Sequence, residues 1–262
     1  RVEAVSGTQV GYVGVTTIGT TITHSLYVRR ISGSTTFDMV DVNNVSTQVD
    51  ITNDWKRFSV TASATSTNLR SYLRLNQIGD VVEIFGFQAE AGSYKTSYIP
   101  TYGTSVTRNA DACFGAGDAA TFNSTEGVLY AEISALANNG STRTISINDN
   151  SGNNVVRIGY TATSNEVNFI IRATTNIYVY NQALSDTTTI NKIAISYNSS
   201  GAKVFINGVL SDSGALSSLP TGLSQLDFRY GNGSFNFYGN TKQLIYFPTA
   251  LSDSELATLT TI

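Results

Sequence analysis

Aromatic rings interleaved with amide side chains are the residues of this chain best suited to holding a ligand. Sugar rings offer C–H faces that stack on aromatic rings, while adjacent Asn, Asp and Gln take the hydroxyls. Two groups have that composition. Tyr178 and Tyr180 lie two apart, so they share one face of a strand, with Asn176 and Gln182 in line. Tyr230, Phe235, Phe237 and Tyr238 gather about a Gly-rich turn, with Asn232, Asn236 and Asn240 among them. Tyr178, Tyr180, Gln182, Tyr230, Asn232, Phe235 and Tyr238 therefore form the predicted ligand-binding set. Core packing consumes aromatic residues too, so it competes with ligand stacking at both groups.

Catalytic chemistry has less to work with. Glycoside hydrolysis needs two carboxylates facing each other across the sugar. The nearest acidic pairs, Asp38 with Asp41 and Asp80 with Glu83, are spaced i and i+3, which sets them on opposite faces of a strand. The single His, His24, sits in a Thr-rich strand pattern and is better explained as an ordinary strand residue. One Cys and one His are too few for a Cys/His metal cluster, and Cys113 has no partner for an internal disulfide. The stretch Asn148-Asp149-Asn150-Ser151-Gly152-Asn153-Asn154 is rich in oxygen donors but supplies one carboxylate, fewer than calcium usually takes. It is predicted as a hairpin turn. No catalytic residue, metal or other cofactor is predicted; structural calcium stays open, with Asp118 and Glu126 as donors to a different site.

The elements that must position these residues are strands. The chain has 262 residues, 13% of them charged, and a net charge of −3. So little charge argues against a nucleic-acid partner, which would require a clustered Lys/Arg excess. No apolar run approaches the roughly 20 residues that span a bilayer as a helix, so no membrane insertion is predicted. Period-two alternation recurs instead. Leu73 and Leu75 share a face, as do Ile145 with Ile147, Val156 with Ile158, Val167 with Phe169 and Ile171, and Ile193 with Ile195 and Tyr197. Asn207-Gly208 after Val204 and Ile206 is a strong hairpin signal. Val81 to Phe87 is apolar on both faces and predicts a central strand. One helix is expected: Ser252 and Glu255 make a capping box ahead of Leu256 and Leu259, predicting a lid at a sandwich edge. The fold class is thus all-β, two β-sandwich (jelly-roll) domains with one short C-terminal helix.

Three stretches of the second half, in order, resemble the concanavalin A-like, laminin-G-like superfamily. They are Glu126 to Tyr130, then Lys192 to Asn198 with Lys203 to Gly208, then Leu244 to Phe247 running through Ala250-Leu251-Ser252 to Glu255-Leu256. The first half resembles a jelly-roll carbohydrate-binding module through His24 to Arg30, Asp54 to Val60 and Ile84 to Glu90. That resemblance implies a first strand missing before Arg1, hence a truncated domain, and a structural, core role for Trp55. Glu90 to Thr101, ending in Thr107 to Asp111, resembles a linker of bacteriophage structural proteins. The expected organisation is a module at 1–98, a linker at 99–110 and a laminin-G-like domain at 111–262.

The glucanases of the superfamily carry Glu-x-Asp-x-x-Glu on one strand, a spacing this sequence lacks. The resemblance implies a non-catalytic glycan-binding or adhesion module of a phage virion protein (tail fibre, receptor-binding or capsid decoration protein). Its location would be the virion surface, and its partners a cell-surface polysaccharide or glycan and other virion proteins. A homo-oligomer is left open, since no coiled-coil heptads support one. Two alternatives stand beside it: a structural virion spacer without ligand, and a module of a secreted polysaccharide lyase or hydrolase. Binding is expected at a Kd of about 0.1–1 mM per site. Low net charge predicts little salt dependence.

Overall fold

The computed structural model describes residues 1–5, 8–107 and 112–262. It divides the chain into two compact units, Arg1–Asn109 and Ala110–Ile262. The expected linker end at 108–111 lies outside the described residues.

The first unit contains β1 (Val2–Glu3), β2 (Gln9–Val15), β3 (Thr21–Ser32), β4 (Thr36–Val40), β5 (Ser46–Asp50), β6 (Lys56–Ser63), β7 (Asn68–Arg74) and β8 (Val81–Ala91). They form two antiparallel sheets, ordered β1-β8-β3-β6 and β2-β7-β4-β5. Alternate residues of each sheet meet in one core. Leu26 and Val28 come from β3, Phe37 and Met39 from β4, and Leu73 from β7, with Phe58 of β6 edge-on to Phe37 at 5.2 Å. β8 is an interior strand, as its apolar run predicts. Its Phe85 nevertheless points out of the core, against Tyr98 at 5.1 Å. Residues 92–99 run back along this outer side. Glu90 accepts from the Thr96 N–H and hydroxyl at 2.8 and 2.6 Å, Gln88 accepts from Ile99 N–H at 2.9 Å, and Arg57 donates to the Thr96 carbonyl at 2.6 Å.

Trp55 departs from the core role expected of it. Phe58 points inward, so period two turns Arg57 and Trp55 outward. The indole is 45% exposed, with the Arg29 guanidinium 5.1 Å from its ring. Arg29 is itself held by Glu83, at 2.6 Å. Trp55→Ala is therefore expected to cost about 1 kcal/mol or less, the scale of an exposed cation–π contact, rather than the roughly 3–5 kcal/mol of a core aromatic. Urea unfolding followed by circular dichroism checks this, and a loss above about 3 kcal/mol would return Trp55 to the core.

The second unit contains β9 (Gly127–Ala135), β10 (Arg143–Asn148), β11 (Asn154–Tyr160), β12 (Glu166–Ala173), β13 (Thr175–Ala183), β14 (Asn191–Asn198), β15 (Gly201–Ile206), β16 (Val209–Gly214), β17 (Gln225–Asp227) and β18 (Gly239–Phe247), then α1 (Asp253–Thr260). Two five-stranded antiparallel sheets, β13-β12-β11-β10-β17 and β16-β15-β14-β9-β18, enclose a second apolar core. Asn207 and Gly208 make the two-residue turn between β15 and β16, both with positive φ (50° and 85°), as a type I′ hairpin requires. The capping box at Ser252 and Glu255 forms as read from the sequence. The position of α1 differs from that expected. Leu256 seats it on the outer face of a sheet, against Val128, Tyr130, Ala194 and Phe205, and not at a sandwich edge.

Candidate ligand-binding face

Register sorts the β10–β13 side chains into rows. Ile147, Val156, Ile171 and Tyr178 form one row, and Ile145, Ile158, Phe169 and Tyr180 the next. Both rows face the core. The intervening rows face outward. One is Asn148, Val155, Arg172 and Asn176; the second is Ser146, Arg157, Ile170 and Val179; the third is Thr144, Gly159, Asn168 and Asn181.

This register corrects the first aromatic group. Tyr178 and Tyr180 do share a face, but it is the inner one. Tyr178 is 7% exposed and donates to Asp212 Oδ2 at 2.6 Å, across to β16 of the opposite sheet. Burial first, then that carboxylate, push its ionisation far above the tyrosine range. Tyr180 stacks on Phe169 at 6.2 Å and donates to Gln182 Oε1 and to the Ser211 carbonyl. The Gln182 amide in turn donates to the Ala183 carbonyl at 2.8 Å. These three side chains bridge edge strands β13 and β16, which turns both rings toward the core and not onto the outer face. The Asp149 carboxylate likewise serves its own turn, accepting from Ser151, Gly152 and Asn154.

Part of the second aromatic group reaches the outer side. Residues 228–238 leave β17 and fold over β10. Phe237 N–H donates to the Phe228 carbonyl at 2.7 Å, Thr144 N–H to the Phe235 carbonyl at 3.0 Å, and the Ser146 hydroxyl to the Arg229 carbonyl at 2.7 Å. Tyr230 is fixed by its hydroxyl on the Gly152 carbonyl at 3.0 Å. Asn232 caps the turn, accepting from Ser234 N–H at 3.1 Å and from its hydroxyl at 2.5 Å, which makes it a turn residue first. Phe235 is half exposed, at φ 56°, and Tyr238, 36% exposed, covers the buried Arg143 guanidinium at 4.8 Å, in the inward row of Arg143, Tyr160 and Val167. Phe237 turns into the core against Phe228 and Tyr160.

The sequence reading missed the polar residues beside this group. Arg157 lays its guanidinium 5.2 Å from the Tyr230 ring centre and donates to Asn168 Oδ1 at 2.8 Å and to Thr144 Oγ1 at 3.4 Å. Burial lowers its pKa, Tyr230 opposing weakly. Asn168 in turn donates to Asn181 Oδ1. Ile170 and Val179, the latter 54% exposed, give an apolar strip beside this polar row. The result is an aromatic, amide and guanidinium surface, able to stack on a ring and exchange hydrogen bonds with its substituents.

The Ser–His contact of the chain lies elsewhere. In the first unit His24 Nδ1 and Ser71 Oγ share a hydrogen bond, but they are 1% and 0% exposed, inside the sandwich and out of reach of a substrate. Among the described residues no group of three or more His, Cys, Asp or Glu is placed to hold a metal.

No family model matches the chain, and no curated protein matches it. Solved structures do. The carbohydrate-binding module CBM40 of the Ruminococcus gnavus IT-sialidase, bound to alpha2,3 sialyllactose, is 17% identical with a TM-score of 0.46, covering 58% of this chain and 97% of that one. A leech intramolecular trans-sialidase is 20% identical with a TM-score of 0.42; the match covers 53% of this chain and spans only 23% of the enzyme's length. An SAP-like pentraxin of Limulus polyphemus is 10% identical with a TM-score of 0.42, covering 52% of this chain and 70% of its own.

Proposed function

We propose that the chain is a non-catalytic glycan-binding module of a phage virion protein, acting at the virion surface in host attachment. The observation that carries the glycan reading is the outer surface just described. Tyr230 stands beside Arg157, which is linked through Asn168 to Asn181, and Phe235 and Tyr238 are exposed farther along the same segment, whose backbone is fixed on β10 by hydrogen bonds. Such preorganisation lowers the ordering cost of binding a flexible oligosaccharide. The phage reading is supported by the resemblance of residues 90–111 to linkers of phage structural proteins. A virion carries many copies, so multivalency would raise a weak single-site affinity by about 10²–10⁴.

A glycan array probed with the purified chain tests the first part. Binding is expected, and it should fall at least tenfold in Phe235→Ala and Tyr238→Ala, whose partly exposed rings can be removed without emptying a core. A blank array would favour the structural spacer, and release of reducing ends from host polysaccharide would favour a lyase or hydrolase. Mass spectrometry of purified virions tests the second part, through peptides of this chain co-sedimenting with capsid or tail proteins.

A further inference from the structure

Arg157 and Arg172 sit on the outer face as diagonal neighbours of β11 and β12, since Val155 pairs with Arg172 and Arg157 with Ile170. That arrangement sets their Cα atoms about 7–8 Å apart, both chains projecting from the same side of the sheet. Each guanidinium has a buried Nε without a hydrogen-bond partner. Among the described residues no carboxylate pairs with either one, although Arg29, Arg74 and Arg229 each have an acidic partner within 4.0 Å. Arg157 is held by neutral acceptors, Asn168 and Thr144, and by the face of Tyr230. Glu166, the acidic residue of this outer face nearest in sequence, is engaged by the Thr161 hydroxyl at 2.7 Å and the Asn181 amide at 3.3 Å.

A guanidinium does not give up its proton, so a half-buried one without a counter-ion retains unspent attraction for an anion. Neutral acceptors fix its plane without cancelling its charge. Two such groups beside an aromatic ring and an apolar strip match a sugar that carries an acidic substituent, because Arg pairs with planar carboxylates in bidentate fashion. We infer that the face binds an anionic glycan, its carboxylate or sulfate lodged between Arg157 and Arg172 and its ring against Tyr230 and the Ile170–Val179 strip. The inference rests on the glycan-binding reading and narrows it to acidic sugars. It also revises the expectation from net charge: affinity should fall as salt rises, because the charges that matter are local.

The test is an array of paired glycans, each uronate-, sialate- or sulfate-bearing oligosaccharide printed beside its neutral counterpart, followed by calorimetry on the best acidic and the best neutral probe. Acidic probes are expected to exceed their partners at least tenfold. Arg172→Gln should weaken the acidic probe about tenfold or more and change a neutral probe less than twofold, whereas Arg157→Gln should weaken the acidic probe at least tenfold more than the neutral one. The Arg172 side chain makes no hydrogen bond to another described residue, so its replacement leaves the fold intact if Arg157→Gln disturbs it; thermal midpoints check both. Uronate and sialate hits against sulfate hits distinguish the two anion sources. Binding confined to neutral glycans, or acidic binding indifferent to both substitutions and to salt, overturns the inference and leaves the glycan reading standing. A blank array removes the glycan reading, and the inference with it.

Discussion

Acidification from pH 7 to pH 4 is expected to weaken the first sandwich by about 3 kcal/mol through His24 alone. The ring lies in the core between β3 and β7, stacked on Phe87 at 5.7 Å and hydrogen-bonded through Nδ1 to Ser71. Its Nε2 is buried without a partner. Burial pushes the pKa down from 6.5 to about 4, Asp41 opposing. The sign follows from which state takes the proton first. Above pH 6.5 neither state is protonated and His24 adds no pH dependence. Between 6.5 and about 4 the unfolded chain binds the proton and the folded one does not, so stability falls with pH. Below about 4 both bind it and the loss levels off. A shift of that size corresponds to about 3 kcal/mol. Trp55 is the single tryptophan, so its fluorescence reports unfolding of this unit. Urea titrations at pH 7, 5.5 and 4 should show wild type and His24→Gln converging as the pH falls. Parallel curves would mean that the imidazole takes its proton without unfolding.

Asp227→Ala is expected to cost the second sandwich about 2–4 kcal/mol and to loosen the binding face with it. The carboxylate is fully buried and accepts from Gly115 N–H at 2.6 Å, from the Gln225 and Asn148 amides at 3.2 and 3.3 Å, and from Arg229 Nε at 3.4 Å. Removing it takes the acceptor from Gly115 N–H and the anion from the Arg229 guanidinium, the costly side of such a pair, while the Asn148 and Gln225 amides each keep a second acceptor. The same carboxylate anchors the start of residues 228–238, which carry Tyr230, Phe235 and Tyr238. Stability and glycan affinity should therefore fall together. Circular dichroism during urea unfolding measures the first, calorimetry the second. A change under about 1 kcal/mol would show that water replaces the carboxylate easily.

The strands of both sandwiches were legible because alternation is a local property. Leu73 and Leu75, Val167, Phe169 and Ile171, and the Asn207-Gly208 turn could be read without knowing any neighbour. Which face of a strand meets the core is not local. Tyr178 and Tyr180 were correctly placed side by side, yet their inward direction depends on Asp212 and Ser211, supplied by a strand about thirty residues away. A signal did exist: Phe169 and Ile171 pair with Tyr180 and Tyr178, so the apolar face of β12 carries them inward. The same alternation placed Asn168 and Arg172 on the opposite face, where the sequence reading did not look for a site. Trp55 could have been placed by the same count from Phe58. The resemblance that assigned it to a core outweighed a period that pointed outward.

The place of β9 has a consequence for how the protein is made. It is the first strand of the second unit to be synthesised, yet it lies between β14 and β18, and its second partner arrives more than one hundred residues later. The first unit repeats the pattern, with β1 completed by its last strand, β8. Pairings this distant in sequence close slowly, because chain entropy is lost before any contact offsets it. Each sandwich must therefore wait on the ribosome with unfilled edges until its final strand emerges. Slow synthesis across Gly239–Phe247, or a holding chaperone engaged there, should govern the yield of folded protein more than any single contact in the finished core.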